Sequence, residues 1–289
     1  MFSRRHILAA SVAAPLLMST PVRAQSRKLR FGVGPFLPSA EDTRKSYTPF
    51  FAYLAQQMGA TDFDLAVTTD WAGLAVAMSA GHLDAAWMGP WGYVLAHQAS
   101  GCRAIATVKY DEKATYKAII IARSAHRALR FPEATRGLSI SFADVGSTSG
   151  WLIPHYYAKT VWKLDPRTYW KYTEGASHPA NEIAVQAGQV DLATDYDRNR
   201  NSMIDSGRVN PQDSAVVWES EPLPNDALAV SATLSAEQVA TAQRALMALT
   251  PAQAQDVMPK RYTGWVPATH DSYRLIENAG LALGKLKKR

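Results

Sequence analysis

The sequence predicts an α/β fold of two lobes, each a mostly parallel sheet flanked by helices. Short apolar segments typical of strands alternate with helical segments along most of the chain, a pattern that favours parallel sheets covered by helices. The segment 77–86 is also echoed at 184–193, where a helix end, a glycine and a strand carrying aspartate recur at an offset of 107 residues. With 289 residues, the chain is long enough for about two domains.

The N-terminus has the pattern of an export signal. A twin-arginine start, Arg4-Arg5, precedes an apolar run and a small-residue cleavage site that ends at Ala24. The run is shorter than the roughly 20 residues of a membrane-spanning helix. We therefore expect residues 1–24 to be a twin-arginine signal peptide and the chain to reach the periplasm. Cleavage would lower the net charge from +6 to +3, a modest excess that does not indicate a nucleic-acid partner.

The periodicity of apolar residues predicts the remaining elements in chain order. Helix 43–58 places Phe50, Leu54 and Met58 on one face, and Pro49 should kink it or mark a late start. A capping box of Ser235 and Gln238 begins a helical C-terminal region, with a last helix from about residue 271. The predicted strands are 28–33, 63–68, 83–88, 103–108, 117–123, 138–144, 169–173, 190–196, 215–218 and 227–230, and the other predicted helices are 71–80, 90–100 and 180–187.

The stretch 138–153 is the main functional candidate. It predicts a strand, a small-residue loop from Gly146 to Gly150 and the start of a helix. Free backbone N–H groups at a helix start attract tetrahedral oxyanions, and the loop's three hydroxyl side chains add neutral donors. An ordinary helix N-cap remains the alternative interpretation. A nucleophile elbow is disfavoured, because Thr148 occupies the position where that motif carries serine.

Two connections should join the lobes, near residues 110–117 and 222–226. This places lobe 1 at residues 25–113 and 223–289, the latter part including the C-terminal helices, and lobe 2 at residues 114–222. Ligands of such sheets bind beyond the carboxyl ends of the strands, so a ligand cleft is expected between the lobes, at the hinge.

The chain resembles the periplasmic binding proteins of phosphonate, phosphite and phosphate ABC importers. The resemblance covers most of the mature chain and depends on several segments in a fixed order. These segments are Thr69-Asp70-Trp71-Ala72-Gly73, Gly89-Pro90-Trp91-Gly92-Tyr93, Gly146 to Pro154, Ser177-His178, Gln189-Val190-Asp191-Leu192-Ala193-Thr194 and Pro222-Leu223-Pro224-Asn225-Asp226.

The resemblance implies a two-lobe periplasmic-binding-protein fold and a set of ligand-binding residues. It assigns the phosphonate oxygens to five side chains: Ser147, Thr148, Ser149, His178 and Tyr116. Trp71 stands where relatives often carry tyrosine and would form an apolar wall. Tyr93 is a second wall candidate, with a core position as the alternative.

The resemblance also implies how an amino group on the ligand would be bound. Asp226 matches an acid that receives the amine of aminoalkylphosphonates, whereas Arg198 stands where the family's other amine-binding acid is found. Asp195 or Asp197 could replace that acid.

The sequence thus predicts an exported, monomeric solute-binding protein without metal, cofactor or enzymatic activity. It should capture a small phosphonate, with 2-aminoethylphosphonate as the best candidate, and deliver it to an ABC transporter permease. One alternative is an oxyanion sensor for arsenite, phosphite or phosphate that signals to a membrane histidine kinase. The only cysteine, Cys102, would bind arsenite in that case, although a buried inert thiol is favoured. A hydrolase using Ser149 or Thr148 is the other alternative.

Overall fold

The computed structural model describes residues 28–287. The predicted signal peptide, residues 1–24, lies outside the described residues. Between residues 28 and 287, no helix combines the length and apolar character that a membrane span requires.

Between residues 28 and 287 the chain forms thirteen strands, ten of which lie close to predicted positions. They are β1 (Leu29–Val33), β2 (Phe63–Val67), β3 (Ala85–Met88), β4 (Arg103–Tyr110), β5 (Thr115–Tyr116), β6 (Ala118–Arg123), β7 (Ser139–Ala143), β8 (Lys171–Ala176), β9 (Leu192–Tyr196), β10 (Ser214–Glu219), β11 (Leu223–Pro224), β12 (Ala227–Val230) and β13 (Tyr262–Pro267).

The helices connect these strands and cover the sheets. They are α1 (Ala40–Gln57), α2 (Trp71–Ser79), α3 (Pro90–Ser100), α4 (Ile153–Tyr157), α5 (Pro166–Tyr169), α6 (His178–Gln186), α7 (Asp197–Asp205), α8 (Ala236–Ala248), α9 (Pro251–Val257) and α10 (Arg274–Ala282). Wide π-helical turns, Thr148–Leu152 and Ala158–Trp162, extend α4 at both ends.

Each lobe is built on one sheet. In the described part of the chain, lobe 1 has the strand order β13-β4-β12-β3-β1-β2 and lobe 2 the order β10-β6-β9-β7-β8. In lobe 1, strands β1 to β4 run in one direction and β12 and β13 run against them. In lobe 2, only β6 runs against the other four. The sheets are therefore mostly parallel, as the alternation of strands and helices predicts.

A short two-stranded ribbon joins the lobes. β5 pairs with β11 in antiparallel orientation, with Tyr116 opposite Leu223. The chain leaves lobe 1 just before β5 and returns to it just after β11. Two backbone segments therefore cross side by side between the sheets.

Two expectations about local structure are wrong. Helix α1 begins at Ala40, earlier than predicted, and it includes Pro49, which therefore does not mark a late start. Ser39 caps this start, because its side chain accepts the N–H of Asp42. The C-terminal region is also not entirely helical, since β13 completes the lobe 1 sheet along β4.

Equivalent aspartates stabilise the start of a strand in each lobe. Asp84 accepts the backbone N–H of Arg30 at 2.9 Å and also binds its guanidinium. In lobe 2, Asp191 accepts the backbone N–H of Ser139 at 3.0 Å. These residues occupy the same position in the internal echo, and each has a structural role at the start of a strand.

Replacing Asp84 by alanine should destabilise the protein by about 1–3 kcal/mol, because it removes a fully buried acceptor from the backbone N–H of Arg30. Urea unfolding followed by circular dichroism measures this change. Asp64→Ala is the matched control, because Asp64 forms an exposed ion pair with Lys28, a type that contributes about 0–1 kcal/mol. Equal losses in the two variants would contradict the role given to Asp84.

Candidate functional site

A small cavity lies where the loop after β7 faces lobe 1. Its volume is about 20 Å³. Lobe 1 and lobe 2 contribute to its lining together with the connecting ribbon. The lining residues are Phe36, Trp71, Gly89, Tyr116, Gly146, Ser147, Thr148, Ser149, His178, Tyr196, Arg198 and Asp226.

The loop is shaped by its own hydrogen bonds. The N–H of Ser147 donates to the backbone oxygen of Asp144 at 2.8 Å, which closes a tight turn. The Ser147 side chain then accepts the N–H of Gly150 at 3.0 Å and caps the helical turn that follows. The N-cap interpretation is therefore correct for Ser147, while Thr148 and Ser149 begin the helix at the cavity. The first N–H groups of a helix have no partner within it.

Backbone groups of lobe 1 bind this loop directly. One carboxylate oxygen of Asp144 accepts the N–H groups of Trp71 and Ala72, at 3.0 and 3.1 Å. The Thr148 hydroxyl oxygen accepts the N–H of Trp91 at 2.8 Å. The starts of α2 and α3 thus contact lobe 2 through its loop, and the two lobes are in direct contact around the cavity.

A line of three polar side chains extends from the loop into lobe 2. The Nε2 atom of His178 is 2.8 Å from the Ser147 hydroxyl, and its Nδ1 is 2.9 Å from Asp195. Burial lowers the pKa of His178 to about 3, so the ring is neutral at ordinary pH. With Nδ1–H donating to the Asp195 carboxylate, Nε2 accepts the Ser147 hydroxyl proton. In this arrangement His178 orients Ser147 and has no proton to donate into the cavity.

A buried acid pair continues this line. Burial raises the pKa of Asp195 to about 7 and that of Glu182 to about 9. Arg200 binds Glu182 at 3.0 Å, and the Asn199 amide donates to Asp195. Two carboxyl groups close to one cation favour sharing one proton between them.

Although these atoms are those of a nucleophilic triad, the arrangement does not favour hydrolysis. A general base works best with a pKa near the working pH, and His178 is far below that range. The Ser147 oxygen is also engaged by the N–H of Gly150. The hydrolase alternative named Ser149 or Thr148, and within residues 28–287 neither of these hydroxyls forms a hydrogen bond with a histidine.

The structure brings most of the predicted site residues together, with two exceptions. Trp71, Tyr116, the three loop hydroxyls, His178 and Asp226 all line the cavity. Tyr93 does not, because its hydroxyl bonds Nδ1 of His270 at 3.1 Å and its ring is fully buried in lobe 1. Asp195 lies behind His178 and does not reach the cavity. The core alternative is thus the correct one for Tyr93.

Some lining residues were missed. Phe36, in the segment after β1, and Tyr196, at the end of β9, carry no local signal in the sequence. Arg198 was visible only as a departure from the family pattern. Its Nη2 donates to Asp226 at 3.1 Å, and both side chains are buried.

Other candidate sites are not assembled. Cys102 is fully buried, and burial raises the pKa of its thiol to about 12, which disfavours the reactive thiolate. Residues 28–287 contain no group of three or more His, Cys, Asp or Glu side chains suited to a metal ion.

Comparison with known proteins identifies close counterparts of this architecture. A family model described as "ABC transporter, phosphonate, periplasmic substrate-binding protein" matches residues 31–273. The chain is 26% identical over 224 residues to the phosphonates-binding periplasmic protein of Escherichia coli (strain K12). That alignment covers 76% of this chain and 65% of the relative. It is also 26% identical over 211 residues to the phosphate-import protein PhnD of Mycolicibacterium smegmatis, covering 70% and 65% of the two chains.

The alignments thus span 65% of the length of these curated relatives. Among solved structures, a binding protein component of an ABC phosphonate transporter from Pseudomonas aeruginosa superposes with a TM-score of 0.79 at 23% identity. That superposition covers 89% of this chain and 86% of the other. The likeness establishes the two-lobe fold.

His178 is expected to remain neutral from about pH 8 to about pH 5, because burial removes the solvation that its charged form needs. Two-bond ¹H–¹⁵N correlation spectra should show a neutral imidazole through this range, with its proton on Nδ1 above about pH 7, where the Asp195 carboxylate that accepts it is ionised. A His178→Gln variant identifies the signal. Protonation of this ring between pH 7 and pH 5 would contradict the assignment.

Proposed function

Because the chain belongs to the family of periplasmic substrate-binding proteins of phosphonate ABC transporters, we propose that it captures a phosphonate between its lobes and delivers it to a membrane permease. The observation that supports this most directly is the hydroxyl-lined cavity at the start of the helical turn Thr148–Leu152. Proteins of this family bind substrates for transport and are not enzymes, in keeping with a site that holds donors and no competent general base.

The cavity has the donors that a phosphonate head requires. Thr148 accepts the N–H of Trp91 with its oxygen, and that bond does not use its hydroxyl proton. Ser149 and Tyr116 contribute two more hydroxyl groups. Neutral donors at a helix start, with a single nearby arginine, suit a small oxyanion with several acceptor oxygens.

Closure of the lobes is the proposed mechanism of capture. The contacts of Asp144 and Thr148 with lobe 1 join the two lobes directly over the cavity. The β5–β11 ribbon is the proposed hinge, with lobe boundaries at residues 25–113, 114–222 and 223–289. A ligand that bridges both lobes would favour the closed form, because its contacts on both sides exist only there.

The remaining parts of the proposal concern location and ligand. The family is periplasmic, and we propose export through the twin-arginine signal at residues 1–24 and action as a monomer. The predicted 2-aminoethylphosphonate would require an acid free to bind its amine. Asp226 is the acid that lines the cavity, but it is paired with Arg198. The proposal therefore covers the phosphonate head, which the donor set supports.

Thr148→Val should weaken the binding of methylphosphonate at least about tenfold, or about 1.4 kcal/mol, because it keeps nearly the same side-chain volume but removes a donor to the ligand and the acceptor of the Trp91 N–H. Isothermal titration calorimetry measures the affinity. Thr168→Val, at an exposed position of α5, is the matched control and should bind like wild type. An unchanged affinity in Thr148→Val, or no binding of any phosphonate by the wild type, would overturn the proposal.

A further inference from the structure

Arg198 has donors that the protein does not use. Its side chain is 5% exposed, and Nη2 donates to both oxygens of Asp226, at 3.4 and 3.1 Å. Its Nε and Nη1 atoms are buried and have no hydrogen-bond partner within residues 28–287. A guanidinium has five N–H donors, and these two atoms carry three of them. Since buried donors in proteins are almost always paired, Arg198 indicates a ligand with acceptor atoms.

Arg198 lines two spaces. One is the small cavity at the loop hydroxyls, and the other is a groove between the lobes with a volume of about 240 Å³. Arg198, Phe36 and Tyr196 line both. A phosphonate whose head occupies the cavity would therefore direct its substituent past Arg198 into the groove.

Aromatic rings hold the guanidinium in place. Its Cζ lies 4.7 Å from the ring centre of Tyr116 and 5.4 Å from that of Tyr196. Tyr110 and Tyr262 complete the cage at 5.6 and 5.7 Å. Rings at these distances attract a cation. Arg198 is thus held at the boundary by four rings and one ion pair.

The charges around the groove do not favour an ammonium. Asp226 is already bound by Arg198 and accepts the indole N–H of Trp87 at 3.4 Å. Asp205, on the groove, is paired with Arg261 at 2.8 Å. Lys260 and Arg261 add further positive charge to the lining.

The two other candidate acids point elsewhere. Asp195 is engaged by His178 and Asn199, and the Asp197 carboxylate accepts the N–H of Arg198. Neither residue lines the cavity or the groove. The acids that could have replaced the family's amine-binding residue are therefore not available to a ligand.

We propose that Arg198 determines the ligand class: it donates from Nε and Nη1 to an anionic acceptor on the substituent of a phosphonate, such as a carboxylate, and it excludes aminoalkylphosphonates. This inference rests on the proposed function, because it presupposes that the phosphonate head occupies the cavity. It replaces 2-aminoethylphosphonate with a phosphonocarboxylate as the ligand best matched to the site.

Three ligands with similar tails test this proposal by isothermal titration calorimetry. Phosphonoacetate carries a carboxylate, propylphosphonate carries a neutral methyl end and 2-aminoethylphosphonate carries an ammonium. The wild type should bind phosphonoacetate at least about tenfold more tightly than 2-aminoethylphosphonate, with propylphosphonate between them. An ammonium-bearing ligand that binds as tightly as phosphonoacetate would overturn the proposal.

Variants assign the selectivity to Arg198. Arg198→Gln/Asp226→Asn replaces the ion pair by two neutral amides, and the preference for phosphonoacetate should fall to less than about threefold. Asp226→Asn alone keeps the guanidinium, so the order of the three ligands should be retained. Arg208→Gln, at an exposed arginine of the same lobe, should behave like wild type. Thermal unfolding of each variant verifies that it is folded.

The outcomes separate this inference from the proposed function. If no phosphonate binds to the wild type, both fail. If 2-aminoethylphosphonate binds best and Asp226→Asn weakens it selectively, the acid binds the amine; the inference then fails while phosphonate capture stands. If a folded double variant keeps the full preference for phosphonoacetate, Arg198 is not its cause and the inference fails.

Discussion

The site depends on one carboxylate oxygen that binds three backbone N–H groups. Asp144 accepts from Gly146 in its own loop and from Trp71 and Ala72 at the start of α2 in the other lobe. The contact needs a glycine, because a Cβ on Gly146 would stand 2.4 Å from the backbone nitrogen of Ala72. The loop that carries the hydroxyl donors is thereby fixed against lobe 1, and the cavity exists only where these two surfaces meet.

The internal echo explains why both lobes present helix starts to the same cavity. At the offset of 107 residues, Trp71 corresponds to His178, and their N-caps, Asp70 and Ser177, also correspond. Both first helical residues line the cavity. Two similar supersecondary units therefore face each other, each with the positive end of a helix dipole directed toward the space between them. This symmetry suits an anion without requiring many cationic side chains.

The sequence predicts the architecture well because the spacing of apolar residues differs between strands and helices, and because glycines mark where helices end. The hydroxyl loop was likewise predictable, since three adjacent hydroxyl residues follow an apolar strand. Pairings distant in sequence were not predictable. The hydrogen bond between His178 and Asp195 and the ion pair between Arg198 and Asp226 are such pairings. They depend on how β9, α6 and the segment that returns the chain to lobe 1 pack together. Tyr93 follows the glycine and proline that begin α3, a position at which a cleft residue was possible. The packing of α3 instead buries its side chain in the core.

The central claim is that the ligand is held where the loop meets the start of α2 in the closed form. Small-angle X-ray scattering of wild type and Gly146→Ala, with and without methylphosphonate, tests it most directly, with Val145→Ala as the neighbouring control. The account predicts that methylphosphonate reduces the radius of gyration of wild type and of the control, but not of Gly146→Ala, whose added methyl group meets lobe 1 backbone. A Gly146→Ala protein that contracts as the wild type does would contradict it.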